Sequence, residues 1–312
     1  MTALSVIVCT HNPHATRWER TLAGLAAQTL PRGQWNLIVI DNASAPEVDA
    51  AEVLRRVPNA KVVREPKPGL SHARVAGLGA TDAPLLVFAD DDNVLAPDYL
   101  AACQRRFSDD LRLGLAGGRI APEFEREPEA WHREFLPLLA LRDFGDQDVV
   151  ARTLRPEGSA HNQYPAFGPA GAGMAARREA MEAWLKTGHP FLTGRQGKKL
   201  GSGEDNDIVL CAMKAGWAVG YFPELTLVHL IPAGRLAPDY LARLNYGIQE
   251  SWLRVLALHD ASPWGPLTHR GAALRKARAW IVRKAWQRPV GYIRWRGACG
   301  HFDGRVPSAH HS

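Results

Sequence analysis

The chain has 312 residues, 46% of them hydrophobic and 22% charged, so it can bury a core as one large domain or two small ones; disorder and collagen-like structure are excluded. The net charge of +6 is uneven: from Ala261 onward ten Lys and Arg face one acid, Asp303, leaving 28 basic and 31 acidic side chains before it. Such a distribution argues against a whole-domain nucleic-acid binder and for a local contact between the tail and something anionic. Cys9, Cys103, Cys211 and Cys299 are far apart with no C-x-x-C pair, which fits reduced thiols in a cytoplasmic protein better than a disulfide scaffold or a thiolate zinc site. Leu4–Cys9 is apolar but has no basic segment before it, and no run approaches the ~18 apolar residues of a membrane span.

In chain order, short apolar and β-branched runs predict strands at Leu4–Cys9, Asn36–Ile40, Lys61–Arg64, Leu85–Ala89 and Leu113–Gly117. Between them, helices are predicted at Arg17–Gln28, Pro46–Arg56, Ser71–Gly79 and Pro97–Phe107, the second starting on Pro46 after Ser44. From Arg119 to Pro169 prolines interrupt any long element. A Gly-rich stretch, Gly168–Gly173, precedes a helix over Arg177–Leu185. A loop over Gly194–Gly203 leads through Glu204-Asp205-Asn206-Asp207 to a helix at Ile208–Lys214, then strands at Val219–Phe222 and Thr226–Val228. Leu241, Leu244, Ile248, Trp252 and Val255 follow the spacing of one buried helix face.

Strand–helix alternation with short connections means a doubly wound, mostly parallel sheet with helices on both faces, in which ligands bind beyond the carboxyl ends of the strands. The residues at those ends are polar: Thr10-His11-Asn12, Asp41-Asn42 and Asp90-Asp91-Asp92. Single Asn, Asp or Ser residues there are ordinary turn formers. Three consecutive carboxylates repel one another, and clustering them at a strand end points to a bound cation. Carboxylate oxygens suit Mg²⁺ or Mn²⁺, which is usually held by one or two protein carboxylates plus phosphate oxygens. Glu204-Asp205, distant in sequence, is then available as a general base.

Other chemistries lack their motifs. Thr10-His11-Asn12-Pro13 stands where a dinucleotide-binding fold needs G-x-G-x-x-G, and Gly194-Arg195-Gln196-Gly197-Lys198-Lys199 has the wrong spacing for a P-loop. No nucleophile elbow or H-E-x-x-H is present.

Ser5–Asn12, Val39–Ser44, Phe88–Asp92 and Ser202–Asp207, in that order, resemble the motif set of family 2 glycosyltransferases, over roughly residues 4–250. The resemblance implies a GT-A fold and an inverting enzyme that uses a nucleotide-diphosphate sugar. Position by position, it implies that Thr10, His11 and Asn12 lie by the nucleotide and that Asp41 accepts from the base, which favours a UDP-sugar. Gly69 and Arg74 are implied near the nucleotide, with Val75 in place of the family's usual Asn. Asp90 is implied toward the ribose, Asp91 in the same loop and Asp92 on the metal, with His229 completing the coordination. Asp205, beside Glu204, matches the catalytic base. Arg195, with Lys198 and Lys199, is expected in a mobile cover over the donor, and Trp131 and His132 could line the acceptor site or pack under a loop.

These readings divide the chain into a nucleotide-sugar-binding half (1–118), an acceptor-binding and catalytic half of the same domain (119–260) and a basic helical tail (261–312). The acceptor is expected to be a sugar or a lipid-linked molecule of cell-envelope polysaccharide or glycolipid synthesis, and nucleic acid is not expected as a partner. Arg270–Arg296 holds nine Lys and Arg, no acid, and Trp280, Trp286 and Trp295, a composition suited to an anionic membrane at its inner face. Two alternatives stay open: a nucleotidyltransferase, and an inactive sugar-nucleotide fold that binds nucleic acid through the tail.

Overall fold

A computed structural model describes residues 3–189 and 200–307. Every second residue of the early strands faces the same side, and both sides are apolar, so the sheet is buried on both faces. Val6, Val8, Val39 and Val87 pack with Trp18, Leu22, Leu100 and Phe107 on one side. Ile7, Ile38, Ile40 and Phe88 pack with Ala73, Met181, Trp184 and Ile208 on the other.

The strands of this sheet are β1 (Leu4–Thr10), β2 (Trp35–Asn42), β3 (Ala60–Glu65), β4 (Leu85–Asp90), β6 (Leu113–Gly117), β8 (Val149–Ala151), β9 (Ala175–Arg177) and β10 (Ala218–Tyr221). Their order is β3-β2-β1-β4-β9-β6-β10-β8, with β9 and β8 antiparallel to their neighbours and the other pairs parallel. A second sheet joins β5 (Asn93–Leu95), β11 (Leu227–Ile231) and β7 (Ile120–Phe124). The helices are α1 (Ala15–Ala26), α2 (Ala50–Arg56), α3 (Leu70–Gly79), α4 (Tyr99–Asp109), α5 (Arg178–Thr187), α6 (Glu204–Lys214), α7 (Pro238–Leu258), α8 (His269–Val282) and α9 (Val290–Asp303). The doubly wound, mostly parallel architecture is thus the expected one. Residues from both sides of position 118 form the one sheet, because β9 and β10 enter it beside β4 and β6.

Three elements differ from expectation near the site. Helix α2 begins at Ala50, not Pro46, because Asp49 accepts from the Ala51 and Glu52 N–H groups as its cap, while Ser44 accepts from Asn12 N–H instead. Helix α6 begins at Glu204, not Ile208, which puts Glu204, Asp205 and Asp207 in a first turn where the helix dipole favours acids. Strand β11 runs on to Ile231, so His229 lies within a strand, paired with Asn93 and Pro122 on its two sides, rather than after it.

The segment after residue 260 does not trail freely. Helix α9 lies on α7, with Ile293 buried among Leu241, Leu244 and Phe135. Their close approach depends on glycine: a Cβ on Gly300 would meet the Tyr246 carbonyl oxygen at 2.2 Å, and one on Gly297 would meet Asn245 at 2.4 Å. Lys276 pairs with Asp303, and Arg294 with Glu134.

Candidate active site

Strands β1 and β4 are neighbours, yet β1 leads toward β2 on one side and β4 continues the sheet on the other. The crevice beyond their carboxyl ends is therefore the switch point of the sheet, where open α/β folds bind ligands. Cys9 registers with Asp90, so the residues after each strand meet there. They open into a cleft of about 380 Å³, in the range of small-molecule sites. His11, Arg74, Asp90, Asp91, Asp92, Glu204, Asp205 and His229 all line it, so residues up to 218 positions apart converge on one cleft.

The acidic loop is differentiated by its neighbours. The Thr10 hydroxyl donates to Asp91 Oδ2, and Asn93 fixes the turn by accepting from the Asp90 N–H. Burial pushes the Asp91 carboxyl up to about 6 against that hydrogen bond. Asp92 is also buried, but His229 and Arg235 outweigh the burial and hold its carboxyl below the usual range. The Nδ1 of His229 has the Leu139 carbonyl at 3.1 Å and donates to it. That bond leaves Nε2 facing Asp92 Oδ2 across 3.6 Å. With the imidazole neutral, as metal ligation requires, its free nitrogen and the carboxylate oxygen are both acceptors, and two acceptors face to face suit a divalent cation, with the carbonyl orienting the ring from behind. Asp92 and His229 therefore fit a metal.

Elsewhere in the cleft, Arg74 organises the two acids of α6. Its Nη1 donates to Glu204 Oε1 at 2.6 Å and lies 2.7 Å from Asp205 Oδ1. Burial alone would lower the Arg74 pKa, but Asp205 and Glu204 raise it above its usual value, so the guanidinium stays charged. Glu204 is 2% exposed and also accepts from the Ser71 hydroxyl; burial raises its carboxyl despite both partners. Asp205 is different: its side chain is 25% exposed, and its Oδ2 accepts from Gly171 N–H at 2.7 Å. Gly171 has no room for a side chain, since a Cβ would lie 1.9 Å from Arg74 Nη2 and 2.7 Å from Asp205 Oδ1.

The family model for glycosyl transferase family 2 matches residues 5–185, more than half of the chain. The chain belongs to this family. No curated protein matches it. As a family 2 glycosyltransferase it is an enzyme with a nucleotide-sugar donor and an acceptor, and its sheet is that of the GT-A fold.

Not every residue expected in the glycosyltransferase site reaches the cleft. Thr10, Asn12, Asp41 and Gly69 do not line it. Asp41 is 2% exposed, accepts from the Ser44 and Val48 N–H groups and pairs with Arg64 at 2.5 Å. These contacts organise the loop after β2. Asn12 accepts from Ala45 N–H in the same loop. Gly69, at φ 132°, caps α3, where its N–H donates to Asn42. Glu204 lines the cleft as a buried partner of Arg74. Trp131 stacks on His132 at 3.6 Å, and His132 is buried against the Leu236 carbonyl, so both pack under a turn instead of lining the cleft. Arg195, Lys198 and Lys199 lie outside the described residues.

Residues that the sequence did not reveal complete the glycosyltransferase cleft. Arg142 lines it from an isolated bridge to Ile120, and Arg235 from the 3₁₀ turn Ala233–Leu236 beyond β11. Arg142 Nε has no partner among the described residues, and Arg235 lies 4.0 Å from Asp92 Oδ2 with its guanidinium over Tyr240. Nothing in their sequence neighbourhood marks them, because chain folding alone brings them in. Behind the cleft, His189, Asp207 and His259 place one ligand-type atom each within 4.8 Å of the others. In this arrangement Asp207 accepts from His259 Nε2 at 2.7 Å, Trp184 Nε1 at 2.9 Å and His189 N–H at 2.6 Å.

Proposed function

We propose that the enzyme is a metal-dependent, inverting glycosyltransferase that moves a sugar from a nucleotide-diphosphate sugar to an acceptor hydroxyl in cell-envelope polysaccharide or glycolipid synthesis. The observation that carries this reading is the meeting of Asp92 and His229 with Asp205 across one cleft at the sheet's switch point. The donor side is residues 1–118, with His11, Asp90 and Arg74 nearest the nucleotide, and the acceptor side is residues 119–260. A uridine diphosphate sugar is the first donor to test, because Asp41 stands where the family places a base contact, although it acts here through its loop.

Mn²⁺ or Mg²⁺ would be held by Asp92 and His229, where a divalent cation supplies charge neutralisation for the departing diphosphate. Arg142 and Arg235 add two fixed cations on the same cleft and suit the phosphate oxygens. Asp205 takes the proton of the acceptor hydroxyl as its oxygen attacks the anomeric carbon. The new carbon–oxygen bond forms as the bond to the diphosphate breaks, so one displacement inverts the centre and needs one base. Gly171 N–H and Arg74 hold the Asp205 carboxylate in place before the reaction, so no reorganisation is needed at the moment of transfer.

The test is a panel of nucleotide sugars incubated with enzyme, Mn²⁺ and envelope acceptors. Release of nucleoside diphosphate with one donor supports the reading. Release of pyrophosphate identifies a nucleotidyltransferase instead.

A further inference from the structure

Among the described residues, five of the ten exposed large hydrophobic side chains lie on α8 and the turn after it, including Leu274 (74% exposed), Ile281 (65%), Val282 (65%) and Trp286 (56%). Ala272 is the one buried residue of α8, so nearly the whole helix faces solvent. Leu274, Arg278 and Ile281 lie four and three residues apart and share one stripe. Arg270, Arg275, Arg278, Arg283 and Lys284 surround the apolar side chains, and no carboxylate lies within ion-pair distance of any of them among the described residues. Exposed aliphatic side chains interleaved with unneutralised cations are costly in water and gain in one setting: the headgroup boundary of an anionic bilayer.

We infer that α8 and the turn through Trp286 form a membrane-docking face for anionic lipid. Cations alone would serve nucleic-acid phosphates equally well, but Leu274, Ile281, Val282 and Trp286 gain nothing from a phosphate backbone and are buried by acyl chains. Among the described residues no helix is long and apolar enough to cross a membrane, so the contact is peripheral. The docking face adjoins the helices that border the cleft: α9 packs on α7, and α7 carries Leu244 and Ile248 into the cleft wall. The inference concerns where the enzyme sits and stands independently of the transfer reaction.

The experiment is flotation of the full chain with phosphatidylcholine vesicles, with or without phosphatidylglycerol, alongside binding of a single-stranded RNA. The wild type is expected to float with the anionic vesicles alone and to be released by salt. R275E/R278E/R283E should weaken partition by at least about a hundredfold, at about five-fold per cation lost before the three added acids are counted, and L274S/I281S/V282S should weaken it as well. Both variants change exposed side chains, so thermal unfolding and transfer to a water-soluble acceptor should match the wild type. Equal flotation of all three proteins, flotation of none, or RNA binding without vesicle binding would overturn the inference.

Discussion

At the scale of single residues, the site rests on groups whose neighbours leave them little freedom. Gly171 is the clearest case. Its N–H holds Asp205, and a methyl group in its place would push into Arg74. Gly171→Ala should therefore lower kcat by roughly a hundredfold, the cost of about 1 Å of misplacement, with a smaller loss of donor affinity in calorimetry through the displaced Arg74. Arg142→Ala and Arg235→Ala should act the other way, raising the donor KM more than they lower kcat, since each removes a cation from the cleft without touching Asp205. Asp92→Ala should weaken nucleoside-diphosphate binding in the presence of Mn²⁺ far more than nucleoside binding. Equal losses for the two ligands in calorimetry would remove Asp92 from the metal, and His229→Ala measured beside it tests the second ligand.

At the scale of elements, α6 is the part of the site on which most depends. Asp207, two residues after Asp205 and so on the opposite face of the helix, ties α6 to α5 through Trp184, to His189 and to the end of α7 through His259. Burial works to raise the Asp207 carboxyl, but these hydrogen bonds outweigh it and hold the pKa below the usual carboxylate range. A carboxyl lowered on folding contributes stability that is complete above its unfolded pKa of ~3.9 and is lost as pH falls through the folded value. Asp207→Asn should cost about 1–3 kcal/mol at neutral pH and flatten the loss of stability below pH ~4, read by urea unfolding across pH. The sequence revealed this region unevenly. The strand ends and the acids of α6 were legible because their periodicity and charge are local signals. The start of α6 is not legible, because the polar run Glu204–Asp207 reads as loop unless the dipole and Arg74 are known. Arg142 and Arg235 carry no signal of their own, and the Gly-rich stretch 168–173 does not say which glycine meets Asp205: these roles come from long-range contacts. Asp41 and Asn12 were placed at the right strand ends, but the hydrogen bonds that draw them into the 41–48 loop are tertiary facts.

At the scale of the whole molecule, one sheet positions the strand ends that meet in the cleft, and α7, braced by α9, closes the cleft with Leu244 and Ile248. That closure depends on the glycines of α9. Gly300→Ala would drive a Cβ toward the Tyr246 carbonyl and should cost about 1–3 kcal/mol by overpacking, seen as a lower thermal midpoint. The basic segment after residue 260, legible in sequence by charge alone, is thus part structural support and part exposed face. The central claim is that one cleft both holds the donor and deprotonates the acceptor through Asp205. Its most direct test is Asp205→Asn, nearly isosteric but unable to take a proton, assayed for donor binding by calorimetry and for transfer by nucleoside-diphosphate release. The account predicts unchanged donor affinity and a loss of kcat of ~10²–10⁴; a variant that keeps more than about a tenth of wild-type kcat, outside that range, would contradict it.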